Sequence, residues 1–107
     1  MTMTHPIPNT ILAQLGGNRF VVMTGARNLI AGEDYLGMAL PTARHDGKRV
    51  THVRVTLDPS DTYTVEALSF NPRSRVAPFK TIVTESGVYC DNLQAVFTDL
   101  TGLATHL

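Results

Sequence analysis

The sequence predicts an α+β fold: a five-stranded, mostly antiparallel sheet (a meander) with a short N-terminal helix and a C-terminal amphipathic helix on one face. Three observations support it. Segments 49–57 and 62–70 alternate mainly apolar with mainly polar residues, and in segment 35–40 Leu36, Met38 and Leu40 alternate with Tyr35, Gly37 and Ala39, as strands with two different faces do. The connections between the later strands are short, which favours antiparallel pairing. The chain from Tyr89 to Gly102 has helical spacing instead.

The N-terminal part is predicted to form one helix and then one strand. Proline suits a first turn and asparagine caps one, so the helix begins at Pro8 or Asn9 and ends at Gly16-Gly17. Its apolar stripe consists of Ile11, Leu12 and Leu15. The next segment, Arg19–Thr24, has a continuous apolar run, which predicts a buried strand.

Four further strands are predicted after a loop over Gly25–Asp34. They cover Tyr35–Leu40, Arg49–Leu57, Thr62–Phe70 and Phe79–Glu85. Asp46-Gly47 predicts a hairpin turn, because these residue types tolerate positive φ. Pro59 predicts a turn over Asp58–Asp61, and Asn71–Pro78 is a connection interrupted by prolines.

The C-terminal helix is predicted to dock on the sheet. Its apolar face consists of Tyr89, Leu93, Val96, Phe97 and Leu100, and Gly102 supplies a left-handed cap. With helices from both chain ends on one side, the other sheet face is left to solvent or a partner. That second face carries His52, Arg54, Thr56, Thr64 and Glu66.

Composition indicates one domain over residues 1–107, with 43% hydrophobic residues. No apolar run is long enough to span a membrane, and the first residues do not resemble a signal peptide. We therefore expect a cytoplasmic protein with no membrane partner. Cys90 is the single cysteine, so no internal disulfide is possible, and we expect it to pack beside the buried face of the last helix.

No motif in the sequence predicts catalysis, a metal site or a cofactor. The four histidines, His5, His45, His52 and His106, are scattered rather than spaced as ligands. The acidic pairs Asp58/Asp61 and Glu33/Asp34 are typical of turns, and no serine has a nucleophile motif. We expect a protein that is not an enzyme.

The charge distribution suggests a contact surface. Nine basic and nine acidic residues cancel, which argues against a global basic field for nucleic acid. The basic residues are nevertheless concentrated in the middle of the chain, and six residues form the predicted binding stripe: Arg49, His52, Arg54, Arg73, Arg75 and Lys80. A second, weaker candidate is the loop at Thr24–Asn28, where backbone amides and Arg27 could hold an anion. The alternative for that loop is a plain turn.

Open sheets that bind single-stranded nucleic acid stack the bases on exposed aromatic rings, so this function requires exposed aromatic residues on the sheet. Only Tyr35 and Tyr63 are candidates in the sequence, and Tyr63 could equally belong to the core. A solvated face of mixed charge is the simpler interpretation.

The block AQLGGNRFVVMTGARN (residues 13–28) and the chain end TGLATHL (residues 101–107) resemble a group of small proteins that phages, prophages and plasmids encode. Segments 53–57, 61–66 and 88–91 are similar as well. This resemblance implies action inside a bacterial cell as part of a mobile element. It implies no activity and no site residue.

Three functional hypotheses follow. The first is a non-enzymatic accessory protein of a mobile element, which occupies a host or phage protein and so counters a host defence system. The second is a module that binds single-stranded nucleic acid on a basic sheet face. The third is a small structural or assembly protein that self-associates, for example as a homodimer, through an edge strand or the helix face.

Overall fold

The computed structural model describes residues 6–41, 43–70 and 79–103. Within these ranges the helices are α1 (Pro6–Leu15), α2 (Asn18–Thr24) and α3 (Leu93–Thr101), with a 3₁₀ turn at Cys90–Asn92 before α3. The strands are β1 (Arg27–Ala31), β2 (Tyr35–Ala39), β3 (Arg44–His45), β4 (Lys48–Arg49), β5 (His52–Leu57), β6 (Tyr63–Phe70) and β7 (Phe79–Val88).

Five of the strands form one antiparallel sheet in the order β1-β2-β5-β6-β7, and β3 and β4 form a separate hairpin. The predicted α+β fold class is therefore confirmed. The predicted strands over Tyr35–Leu40, Thr62–Phe70 and Phe79–Glu85 are present, and β7 continues to Val88. The predicted strand over Arg49–Leu57 begins at His52 in the sheet, because Arg49 belongs to the hairpin.

The helices cover one face of the sheet and bury its central strands. Aligned positions such as Leu36, Val55 and Val65 lie side by side on this face and are almost fully buried. Ile11 of α1 and Phe97 of α3 pack in the same core and are fully buried. Burial of this apolar area is the main contribution to stability.

The C-terminal helix ends as predicted, but it begins differently. Leu93, Phe97 and Leu100 are buried, and Gly102 adopts φ 71°. Tyr89, however, is 63% exposed and lies before the 3₁₀ turn, so its assignment to the buried face was wrong. Cys90 is exposed as well, which corrects the expectation of a packed thiol. Both residues precede the first full helical turn, where the 3.6-residue period does not yet apply.

The segment Arg19–Thr24, predicted as a strand, is part of helix α2. Gly17 and Gly25 bound this helix with φ 62° and 71°, and the Gly25 N–H donates to the Val21 carbonyl. The buried residues Phe20 and Thr24 are four apart, the spacing of one helical face. A short apolar run does not distinguish a strand from a helix by periodicity, and here tertiary packing selected the helix.

The predicted loop over Gly25–Asp34 contains an edge strand, β1. All five of its residues are exposed, so no alternation of burial marks it in the sequence. Asn28 has φ 54° at the point where the pairing register with β2 shifts. Asparagine tolerates this left-handed conformation, and such a shift is typical of an edge strand. The main sheet among the described residues thus has five strands as predicted, with β1 in the place of Arg19–Thr24.

The hairpin turn at Asp46-Gly47 is confirmed. Asp46 and Gly47 have φ 49° and 76°, as a two-residue type I′ turn requires, and they join β3 to β4. The predicted turn at Asp58–Asp61 is also present, with the Asp61 N–H donating to the Asp58 carbonyl. The predicted connection Asn71–Pro78 lies outside the described residues.

Gly102→Ala is expected to lower the free energy of unfolding by about 1–2 kcal/mol, the cost of a left-handed conformation for an L-residue. The added Cβ would also approach the Arg44 carbonyl oxygen to 3.3 Å. Urea denaturation would measure the change. Gly47→Ala is the matched control, since its φ is also positive but no atom lies within 4 Å of the added Cβ. A smaller loss in Gly102→Ala than in Gly47→Ala would contradict this view of the helix end.

Candidate binding face of the sheet

The sheet face opposite the helices is here called the open face. Its described side chains are half-buried or exposed. The register places Gly37, Arg54 and Glu66 side by side across its centre. Leu68 lies opposite Thr81, and Phe70 opposite Phe79. The face therefore changes from charged residues at its centre to apolar residues where β6 ends and β7 begins.

Three aromatic rings form a cluster at that end of the open face. The His52 ring lies 6.0 Å from Phe70 and 5.2 Å from Phe79, both edge to face. The two phenylalanine rings are 4.8 Å apart between centroids. Phe70 and Phe79 are nevertheless 40% and 49% exposed, so this aromatic cluster presents apolar surface to solvent.

An ion pair occupies the centre of the open face. The Arg54 guanidinium donates to Glu66 Oε1 from Nη2 at 2.9 Å and from Nε at 3.1 Å. Its Cζ also lies 6.0 Å from the centroid of the Tyr35 ring, at the outer limit of a cation–π contact. These contacts hold the guanidinium in place and compensate its charge within the protein.

A groove of about 370 Å³ crosses the open face between the ion pair and the aromatic cluster. Its lining includes Ile30, Tyr35, His52, Leu68 and Phe79. Gly37 lies in its floor opposite Ile30, where the missing side chain leaves room. The groove is apolar on most of its walls, with one charged pair beside it, which is the composition of many protein-binding surfaces.

The structure brings together only part of the predicted binding stripe. His52 and Arg54 share the open face, two residues apart on β5. Lys80 pairs with Ser69, a position that faces the opposite side from Phe70. Arg49 lies on the β3–β4 hairpin. Arg73 and Arg75 lie outside the described residues.

The remaining sequence candidates are placed as follows. Arg27 lies exposed on the edge strand β1, opposite Ala39, and its anion-binding role stays a prediction. Of the two aromatic candidates, Tyr35 lies on the open face and Tyr63 is only 5% exposed in the core. Burial raises the pKa of the Tyr63 hydroxyl above its ordinary value.

Sequence reasoning missed Phe70 and Phe79 as site residues. They are the last residue of β6 and the first residue of β7, so their pairing depends on how the intervening chain brings the strands together. A signal was present nonetheless: two aromatic residues flank the connection between two adjacent antiparallel strands. In such a meander these positions come to lie opposite each other.

His52 is expected to make stability sensitive to mild acid. Burial lowers its pKa below the 6.5 of the unfolded chain, so the unfolded chain binds a proton more readily. The free energy of unfolding should therefore fall as the pH drops below 6.5, and it should stop falling on this account once the pH is below the lower pKa of His52 in the folded state. His52→Gln should show a smaller decrease than the wild type in urea denaturation at pH 7.5 and 5.5.

His45→Gln is the matched control for that measurement, because His45 lies on the hairpin rather than in the aromatic cluster. It should keep more of the acid sensitivity than His52→Gln. An unchanged decrease in His52→Gln would refute the assignment to His52.

The described residues contain no group of three or more His, Cys, Asp or Glu side chains that could hold a metal ion. Two of the carboxylates make contacts that are structural: Glu66 pairs with Arg54, and Asp58 Oδ2 accepts from the Thr64 hydroxyl at 2.6 Å. Among helices α1 to α3, none has the length and apolar character needed to cross a membrane.

Comparison of the chain with protein-family models, with curated proteins and with solved structures gives no match. The functional argument therefore depends on the geometry of the open face.

Proposed function

We propose that this chain is a non-enzymatic binding protein that engages a protein partner through the open face of its sheet. The observation that carries the proposal is the exposed pair Phe70 and Phe79 beside an apolar groove. Aromatic residues are enriched in the cores of protein interfaces, and a few of them usually contribute most of the binding energy.

The electrostatics of the open face favour a protein over nucleic acid. Arg54 is the basic residue at its centre, and Glu66 already compensates its charge at 2.9 Å. Affinity for nucleic acid depends mainly on uncompensated positive charge that releases counterions from phosphates. An aromatic surface whose central charge is already paired instead fits an apolar patch on a folded protein.

The resemblance to proteins of mobile elements supports a partner inside a bacterial cell. In that setting the chain would act by occupying a host or phage protein, and countering a host defence system is the form of action that we propose. Binding alone suffices for such a role, because an occupied surface is closed to its usual partner.

A paired capture experiment tests this function. The wild type and a Phe70→Ser/Phe79→Ser variant would be immobilised and exposed to bacterial lysate, and the retained proteins quantified by mass spectrometry. Val22→Ser is the matched control, because Val22 is 80% exposed on α2, outside the sheet. The partner should be retained by the wild type and the control but lost by the double variant, and the purified partner should show the same order.

Two outcomes would overturn the proposal. Retention of every partner by the double variant would exclude the open face as the contact surface. A dimer of the wild type that the double variant abolishes, seen by sedimentation at several concentrations, would assign the open face to self-association.

A second candidate function, binding of single-stranded nucleic acid, is supported by the three rings of His52, Phe70 and Phe79. Sheet proteins of that class stack bases on exposed rings of this kind. Titration with a labelled oligonucleotide at low and moderate salt separates the candidates. Affinity that falls steeply with salt and depends on Phe70 and Phe79 would favour nucleic acid.

A further inference from the structure

The β3–β4 hairpin places two arginines side by side on one of its faces. Arg44 lies directly opposite Arg49, one position from the type I′ turn. The next pair along the ribbon, Ala43 and Val50, is joined by a backbone hydrogen bond, from the Val50 N–H to the Ala43 carbonyl. Hydrogen-bonded and non-hydrogen-bonded pairs alternate along an antiparallel ribbon, so Arg44 and Arg49 form a non-hydrogen-bonded pair. In pairs of this kind the two Cα atoms and the side chains lie closer together.

Alternation also determines where the two arginines point. Ala43 and Val50 are each 1% exposed, so their face of the ribbon packs on the core. His45 shares that face, and its Nδ1 lies 3.3 Å from the Asp99 carbonyl oxygen at the end of α3. Arg44 and Arg49 therefore extend from the opposite, outward face and are exposed.

The positive charge of this pair is not compensated within the described structure. All nine aspartates and glutamates of the sequence lie among the described residues, and none of them is within ion-pair distance of Arg44 or Arg49. The nearest acidic residue along the chain, Asp46, lies beside His45 instead, at 3.7 Å. Like charges directly opposite each other destabilise a strand pair, so the arrangement costs stability unless an anion joins it.

A cavity of about 200 Å³ lies at the same place, lined by Pro41, Ala43, Arg44 and Arg49. The paired arginines are two of the four described residues that line it. Because both arginines line one cavity, a small ligand bound there can contact both residues, whereas two arginines on a flat surface would each be solvated separately.

We propose that Arg44 and Arg49 together bind a phosphate group at this cavity. Each guanidinium presents planar donors that match two oxygens of a phosphate, and the ligand's negative charge relieves the repulsion between the two side chains. The group is either free, as inorganic phosphate or a mononucleotide, or part of a nucleic-acid backbone. The site is separate from the open face, so it stands or falls independently of the proposed protein partner.

The test is a titration of the full chain with inorganic phosphate, a mononucleotide and a short single-stranded oligonucleotide, at constant ionic strength. Chemical shifts of the Arg44 and Arg49 side chains, followed by NMR, report occupancy. We expect saturable shifts, with about tenfold weaker binding in Arg44→Gln and in Arg49→Gln, the effect of losing one charge-assisted contact. Lys48→Gln is the matched control: Lys48 pairs with His45 on the other face of the ribbon.

The possible outcomes distinguish a free phosphate ligand from a nucleic-acid backbone, and both of these from the absence of a phosphate site. Saturable binding of phosphate or the mononucleotide assigns a small-molecule site, and binding of the oligonucleotide alone assigns a backbone contact. Absence of saturable binding by all three probes would overturn the proposal. An equal loss in Lys48→Gln would also overturn it, because the effect would then reflect net charge rather than the paired arginines.

Discussion

Phe97→Ala is expected to lower the free energy of unfolding by about 3–5 kcal/mol, the range for truncation of a buried phenylalanine. The Phe97 side chain is fully buried on α3. Its ring meets that of Phe20 on α2 edge to face, with centroids 4.9 Å apart. Truncation would therefore remove apolar burial, an aromatic pair and the contact that joins two helices over the sheet.

Urea denaturation followed by circular dichroism would measure this loss. Tyr89→Ala is the matched control, since Tyr89 is an aromatic residue of the same chain segment but is 63% exposed. The control should change stability by less than about 0.5 kcal/mol, as surface substitutions usually do. A loss below about 1 kcal/mol for Phe97→Ala would show that α3 does not dock as described, because even partial collapse of the cavity leaves most of the cost.

Replacing both Phe70 and Phe79 by serine is expected to weaken binding of the protein partner by a factor of about 30 or more, the loss typical of an interface hot spot. The two rings pack against each other, are 40% and 49% exposed, and lie beside the groove of the open face. Hydroxyl groups in their place would keep water on the surface that the partner has to cover. The change should appear mainly in the dissociation rate.

The same double variant should remain folded, because both side chains are already 40–49% exposed. Circular dichroism and thermal melting would verify this before the dissociation constant is measured by calorimetry with the purified partner. His52→Gln tests the third ring of the aromatic cluster separately, since His52 contacts both phenylalanine rings and is itself half-buried. If the double variant bound the partner with the affinity of the wild type, the open face would not be the binding surface.

How much of the fold was predictable depended on whether each element has one buried side. β6 alternates buried and half-buried residues from Tyr63 onward, and α3 buries residues at helical spacing, so both were predicted correctly. Strand β1 is exposed on both sides and left no pattern. Helix α2 is short and apolar on several sides, with Val22 80% exposed, so its sequence fits a strand as well as a helix.

The candidate site was predictable in the same uneven way. His52 and Arg54 alternate with the buried residues Val53 and Val55, so the period of the strand alone assigns them to the face away from the core. Phe70 and Phe79 were missed although they flank the connection between two predicted strands, because the β6–β7 register, and not the period of either strand, decides which residues pair. The Arg54–Glu66 pair depends on a cross-strand register of the same kind.

The amino-acid sequence alone was enough for the local elements whose periodicity, turn residues and helix cap point to one structure: strands β2, β5, β6 and β7, the Asp46-Gly47 hairpin, and the end of α3 at Gly102. Tertiary packing was needed to establish that Arg19–Thr24 is helical, that β1 pairs with β2, and that the rings of His52, Phe70 and Phe79 form a cluster on the open face. This division arises because periodicity is a local property of the chain. Packing of α2 on α3 and the register between strands depend on residues far apart in sequence.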